Sequence, residues 1–492
     1  MPVSTEASGH YSSTIGYLYV FNLIVGTGAL ALPKAFQTAG YGLSIVVLLI
    51  SCFVSYIAAT FVVESLSVGN AVNVRKRREE AGPSGDFDDV VITDSGPSSF
   101  EITEKIEVSR MASMFLGQAG VIFSYLALSI YLFGDLAIYS TTVPKSLMNI
   151  ICSPINTSFV TSADPCQPNW PTFFDRFTVY RLCVVVFVAI CTPLVIIGTT
   201  RTKYLQLATT VCRWSAFSLM IVLASTQMIA NGAATTPPVA NIHGFGSLFG
   251  VAVYAFMCHH SIPSLVTPMS SKSGVFMKLS LVYLLVLSFY FTLSLTGSFA
   301  FVHVQDVYTL NFLHDDLTSV FYFICDHFLA LFPVFTLTTN YPIVGVTLIN
   351  NVRVVRDLLI PVSVRASSEE QSLLEDEGEH DPRTRRNTHS EKPYDAIIPI
   401  AVLGLPTLIS LLTDDVLLLA TVTGSYPGVA VQFLIPCLLV ASARKHAKSV
   451  LNFPVPKKYA SPFQSKYWSI AIFVWAIFAI VMVTLNIIGV RF

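Results

Sequence analysis

Apolar residues in this chain gather into blocks of twenty or more, separated by polar connections, and no ten-residue segments of alternating hydrophobicity mark a barrel. A helix crossing a bilayer needs about 20 predominantly apolar residues, and in hydrocarbon every backbone N–H and C=O must find its partner within the segment. Each block therefore reads as a transmembrane helix. The pattern predicts eleven, at 14–37, 41–66, 117–144, 178–198, 204–230, 244–270, 279–302, 318–350, 395–413, 416–442 and 467–490. The fold class expected is all-α, polytopic and membrane-embedded.

Composition agrees with this reading: only 12% of the 492 residues are charged, against about a quarter in a soluble chain. The net charge of −1 is uninformative, but the placement of charge is not. Connections 67–116, 199–203, 271–278, 351–394 and 443–466 carry the basic residues, including Arg75, Arg77, Lys203, Lys272, Arg353, Arg444 and Lys448. Connections 231–243, 303–317 and 414–415 hold no Lys or Arg, and 145–177 holds only Lys145 and Arg176, one at each edge. The positive-inside rule puts the first set in the cytoplasm and the second outside or in a lumen, with the N-terminus inside. The first thirteen residues lack Lys and Arg and no small-residue cleavage site follows, so the first block is expected to be a true span and not a signal peptide.

The loop 145–177 contains Asn156-Thr157-Ser158, a glycosylation acceptor on the appropriate side, and Cys152 with Cys166, which could pair in an oxidising compartment. The other seven cysteines fall mostly within apolar blocks, as packing residues do. Residues 73–110 and the acidic 363–393 are rich in charge, Ser and Pro and are expected to be disordered cytoplasmic loops. In the second, Glu369 stands four residues before Leu373-Leu374, resembling a sorting signal read by a cytosolic adaptor; a chance pair in an acidic linker is the competing reading.

Two spans are interrupted. The first reads Phe21-Asn22-Leu23-Ile24-Val25-Gly26-Thr27-Gly28-Ala29-Leu30, with two glycines where a helix should be most regular. The sixth reads Tyr254-Ala255-Phe256-Met257-Cys258-His259-His260-Ser261-Ile262-Pro263. These are corresponding members of two five-span halves, 14–230 and 244–442, which together form a core of 14–442, with 467–490 as an eleventh helix. Matched interruptions point to a midplane site in a 5+5 inverted repeat with broken helices 1 and 6. A broken helix frees N–H groups at one new end and carbonyls at the other. The new N-terminus near Gly28–Leu30 suits a carboxylate, and the carbonyls near Asn22–Val25 and Phe256–Cys258 suit an ammonium group or sodium ion. Close packing through small residues is the bland alternative.

At these residues the chain resembles the amino acid/auxin permease family, and within it the sodium-coupled neutral amino acid transporters. The first-span motif N-x-I-V-G-[ST]-G-[IA]-L is matched by Asn22, Ile24, Val25, Gly26, Thr27, Gly28, Ala29 and Leu30. The sixth-span F-x-F-x-C-H is matched by Phe256, Cys258 and His259, with Tyr254 departing from Phe. The eighth-span T-L-T before a proline is matched by Thr336, Leu337, Thr338 and Pro342, with two extra residues before the proline. The opening F-N-L-I-V-G-T-G-A-L is most similar to the transmembrane protein 104 family, a divergent branch. The resemblance implies substrate at Gly26, Thr27, Gly28, Ala29, Phe256, Cys258 and His259, with Gly26–Gly28 taking the carboxylate. It also implies a sodium site using Asn22 with Thr336 or Thr338.

Charged residues at depth are retained for a reason, since each costs about 2.5–3.5 kcal/mol on insertion scales. Asp135 and Arg213 could pair inside the bundle; Arg181 is expected to snorkel to the outer interface; Asp326 could face water. His259 and His260 could relay protons, though a neutral ring bonded to a freed carbonyl of the unwound segment fits better. The function expected is secondary active transport of amino acids or similar small zwitterions, coupled to sodium or protons. The alternative is a non-transporting amino acid sensor using the same pocket. No nucleophile–base pair, nucleotide loop or metal cluster suggests an enzyme. No cofactor or metal beyond a coupling ion, and no nucleic-acid partner, is expected. The partners are the bilayer, the substrate and the adaptor; the membrane is the plasma membrane or an endosomal or lysosomal one.

Overall fold

The computed structural model describes residues 11–81, 97–152, 163–171, 173–197, 203–313, 320–359 and 393–488. Among them the protein is helical throughout, with isolated bridges only at Tyr11–Met269 and Pro165–Asp175. The helices are α1 (Ser13–Ile24), α2 (Thr27–Ala39), α3 (Tyr41–Ala81), α4 (Val108–Phe115), α5 (Gln118–Ile151), α6 (Arg176–Ile197), α7 (Lys203–Asn231), α8 (Phe245–Ala255), α9 (Ile262–Val266), α10 (Val275–Ala300), α11 (Val320–Leu359), α12 (Pro393–Leu412), α13 (Val416–Thr423), α14 (Ile435–Ser449) and α15 (Lys466–Ile488). Two π-helical stretches, Gly424–Gly428 and Ala430–Leu434, join α13 to α14.

Length and hydropathy give nine membrane-crossing segments among the described residues, and ten when α1 and α2 count as one span bent by 50°. The expected span 395–413 corresponds to α12, whose apolar part, Ile397–Leu412, is shorter than the others. The molecule is a multi-pass integral membrane protein. At 1.5 Å per residue α3 is about 60 Å long, twice the hydrocarbon thickness, so its Arg-rich end stands clear of the bilayer.

Burial ranks the helices. The window over Ile242–Val266, which contains the second break, is 83% buried, whereas that over α15 is only 22% buried. The interrupted helices α2 and α8 therefore form the centre, packed on α3, α10 and α13, with α5 and α11 closing the core. Apolar side chains such as Ile196, Ile229, Met277 and Ile488 lie exposed on the outer helices, as a lipid-facing surface requires. Close approach of the central helices depends on glycine: a Cβ at Gly424 would fall 1.9 Å from the Gly250 carbonyl oxygen, so α8 and the π-helical segment touch backbone to backbone.

Each end of the bundle has an ionic tie. Lys145 bonds Asp306 at 2.8 Å, and Asp306 also accepts from the Val416 N–H at 3.0 Å. At the other end Glu64, 1% exposed, accepts from Arg444 Nε at 2.7 Å, Arg444 Nη2 at 2.8 Å and the Ser461 N–H at 2.8 Å.

Of the expected disordered segment 73–110, residues 82–96 lie outside the described residues, and the rest is ordered. Residues 73–81 continue α3, and 97–110 pack onto it: Phe100, Ile102 and Ile106 are buried, and the Asn70 side chain accepts from the Thr103 and Glu104 N–H groups at 3.0 and 2.7 Å. Three apolar residues at spaced positions were enough to anchor a segment whose average composition is polar. Cys152 and Cys166 are bonded, with Sγ–Sγ 2.06 Å. Asn156, all but the last residue of the loop 363–393, and the Glu369–Leu374 motif lie outside the described residues.

Candidate functional site

The first break begins where α1 runs into two residues that cannot sustain it. The Val25 N–H still bonds Phe21 O at 2.9 Å, but Gly26 has φ −119° and ψ −148°, and its N–H turns back to Ile24 O at 2.8 Å. The new helix α2 starts at Thr27 with Gly26 as its cap and no side-chain acceptor. The Ala29 N–H turns back to Gly26 O at 3.2 Å. Free donors at a helix start carry the positive end of its dipole and suit an anion.

The second break faces it. After Ala255 the chain leaves the helix over Phe256–Cys258, then resumes through a short 3₁₀ turn, His259–Ser261, into α9. Two side chains join the breaks. Thr27 Oγ1 lies 3.0 Å from the Tyr254 hydroxyl. The Tyr290 hydroxyl on α10 lies 2.9 Å from Ile24 O and 2.8 Å from Ala255 O, the last carbonyls of α1 and α8. One hydroxyl proton thus serves the freed carbonyls of both breaks.

The two glycines differ. A Cβ on Gly28 would lie 2.6 Å from the Ala255 Cα and 2.8 Å from its N, so Gly28 sets the crossing of α2 and α8. A Cβ on Gly26 would meet nothing closer than 3.8 Å. Gly26 and Thr27 are half-buried where the neighbouring residues are closed in.

A description of transmembrane amino acid transporter proteins matches residues 10–485 of the chain. The chain belongs to the transmembrane amino acid transporter family. It is similar to the transmembrane protein 104 homolog of Caenorhabditis elegans, 61% identical over 493 residues and covering 99% of both chains. It is also similar to human transmembrane protein 104, 36% identical over 519 residues with 98% of each covered. The Dictyostelium discoideum homolog is 32% identical over 536 residues, with 97% of each covered.

Seen within this family, the residues named from sequence divide into two groups. Thr27 and Gly28 meet the second break, and Gly26 caps α2 beside them. Ala29, Phe256, Cys258 and His259 are closed in the core. Phe256 is flanked by Tyr290 and Tyr283, with ring centroids 5.3 and 6.2 Å away, and Cys258 Sγ lies 3.3 Å from the Tyr283 hydroxyl. His259 Nε2 lies 2.9 Å from the Ser55 carbonyl, so its proton sits on Nε2; the acceptor belongs to α3 and not to the unwound segment. Gln432, from the second π-helical stretch, donates to the Ser55 hydroxyl.

The residues expected to hold sodium have hydrogen-bond partners of their own. The Asn22 carbonyl accepts from Arg213 Nη1, and its Oδ1 accepts from Trp214 Nε1 at 2.8 Å. Thr336 and Thr338 donate back to Phe332 O at 2.8 Å and Val334 O at 2.5 Å, and neither hydrogen-bonds Asn22. Arg213 therefore serves Asn22 and does not pair with Asp135. Only a small hollow lies against this side of the break, lined by Phe21, Asn22, Val25, Trp214, Phe217 and Phe289 together with Arg213. Asp326, expected to face water, is buried at 1% exposure. Arg181 lies over the Phe177 ring at 4.2 Å and donates to Leu411 O at 3.1 Å.

Tyr131, Tyr254 and Tyr290 were not singled out as site residues. A tyrosine inside an apolar block is the available signal, because its hydroxyl must find a partner there. At Tyr254 the departure from the family's Phe supplied the hydroxyl that joins the two breaks.

Proposed function

We propose that this protein is a secondary active transporter of amino acids or similar small zwitterions, coupled to protons rather than sodium. The observation that carries the reading is the uncapped start of α2 at Gly26, open to one side and set against a second broken helix. It supplies donors for a carboxylate that no side chain among the described residues caps. The two breaks would be corresponding parts of an inverted repeat, with α12 as a further crossing, and rocking of the broken helices against the rest would expose the site to each side in turn.

Proton coupling is supported by which oxygens are already engaged. The Asn22 carbonyl and amide oxygens, and the carbonyls of Ile24 and Ala255, already accept from Arg213, Trp214 and Tyr290. A guanidinium on the Asn22 carbonyl places a fixed positive charge where a sodium ion would need to sit, and close like charges repel. Uptake of labelled amino acids into proteoliposomes should therefore change less than about twofold when choline replaces sodium, and should rise when the interior is made alkaline. A roughly tenfold sodium stimulation that Asn22→Ala removes would overturn the coupling assignment.

A further inference from the structure

One buried acid is left without a role. Asp135 on α5 is 6% exposed, lies beside the hydroxyls of Tyr131 and Tyr254, and its Oδ1 accepts no hydrogen bond. The cations that might neutralise it are engaged elsewhere: Arg213 on the Asn22 carbonyl, and Lys145 on Asp306 at 2.8 Å. Two further titratable rings lie near this cluster, Tyr139 and His260, the latter 5.8 Å from the Tyr131 ring with its own Nδ1 unpartnered. An uncompensated buried ion is penalised by several kcal/mol. A carboxylate kept in such a place calls for a partner that arrives from outside the chain.

The surroundings indicate which partner. Tyr254, beside Asp135, also contacts Thr27 at 3.0 Å, and Thr27 opens the helix whose free N–H groups suit a carboxylate. A single phenol thus separates an anion-binding helix start from a lone acceptor acid. Those are the two halves of a site for an α-amino acid headgroup. The nearby main-chain carbonyls of Ile24 and Ala255 share the one Tyr290 hydroxyl proton, Ile24 O also accepts from the Gly26 N–H, and neither carries the formal charge that Asp135 offers an ammonium. Resting on the reading of the breaks as an amino acid site, we infer that Asp135 accepts the α-ammonium group of the substrate. The ligand class is then amino acids with a free, charged amine; acids of the same shape lacking the amine are excluded.

The test is thermal stabilisation of the purified full chain by the proteinogenic L-amino acids. The best of these is then compared with its matched 2-hydroxy acid, which keeps the carboxylate and side chain. Wild-type protein should favour the amino acid by about 30-fold or more in Kd, the scale expected for an unpaired buried charge. Asp135→Asn should bring that ratio close to one, which a merely structural role for Asp135 would not do. An Asp135→Asn protein that retains the preference would overturn the assignment while leaving the amino acid site standing. If no amino acid stabilises the wild type, the reading beneath the inference falls with it. Should Asp135→Asn fail to fold, Asp135→Glu carries the test: the moved carboxylate should keep the amine preference but weaken binding, and unchanged affinity would contradict the inference.

Discussion

Gly28→Ala should destabilise the protein and abolish transport, whereas Gly26→Ala, two residues away, should fold normally and fail only in binding. At Gly28 the added carbon would sit 2.6 Å from the Ala255 Cα and 2.8 Å from its N. These are backbone atoms at the buried end of α8 and cannot rotate aside, so α2 and α8 must separate where they cross. Overpacking of this kind costs about 1–3 kcal/mol, and it also moves Thr27 away from Tyr254. We expect a melting temperature lower by several degrees and uptake at background. At Gly26 the nearest atom to an added Cβ is 3.8 Å away, so the fold has room. That room adjoins the free donors of α2, and filling it should weaken amino acid binding about tenfold or more with little change in melting temperature. Melting and binding curves on the two variants check this; equal melting losses would show that both glycines serve packing alone.

The second large effect is expected at the opposite end of the bundle from Lys145. Arg444→Ala should lower stability by about 3–5 kcal/mol, because it leaves the Glu64 carboxylate buried and without its countercharge. Glu64 also receives the Ser461 N–H, and Thr60 lies 2.8 Å from the Ser461 hydroxyl, so the same group fastens the 450–465 connection onto α3. Glu64→Gln keeps the shape and part of the bonding and should be less damaging than Arg444→Ala. Removing both charges with Glu64→Gln and Arg444→Met should recover part of the loss, since the worst case is one buried ion without the other. Thermal melts of the three variants decide it, and equal damage from all three would show that the ion pair contributes through packing instead.

The sequence made the helical class legible because hydrocarbon leaves few alternatives, and the first break because Gly26 and Gly28 fall together in the middle of an apolar block. It fell short wherever an average stood in for particular atoms. The polar composition of 97–110 concealed Phe100, Ile102 and Ile106, which hold that segment on α3. Motif matching named Phe256, Cys258 and His259, yet the structure spends those side chains on Tyr283, Tyr290 and Ser55. The residue that differs from the motif, Tyr254, is the one that reaches Thr27. Arg213 was legible as a buried charge, but its partner is a backbone carbonyl exposed by the break, and no pattern of side chains announces a carbonyl.

The most direct test of the central claim is uptake of a pooled set of labelled amino acids into liposomes containing the purified chain, with a proton gradient imposed and then collapsed. Accumulation that follows the gradient and is absent in the Gly26→Leu protein is the predicted result. Stabilisation by an amino acid with no gradient-driven accumulation would contradict transport and identify the breaks as the pocket of a sensor.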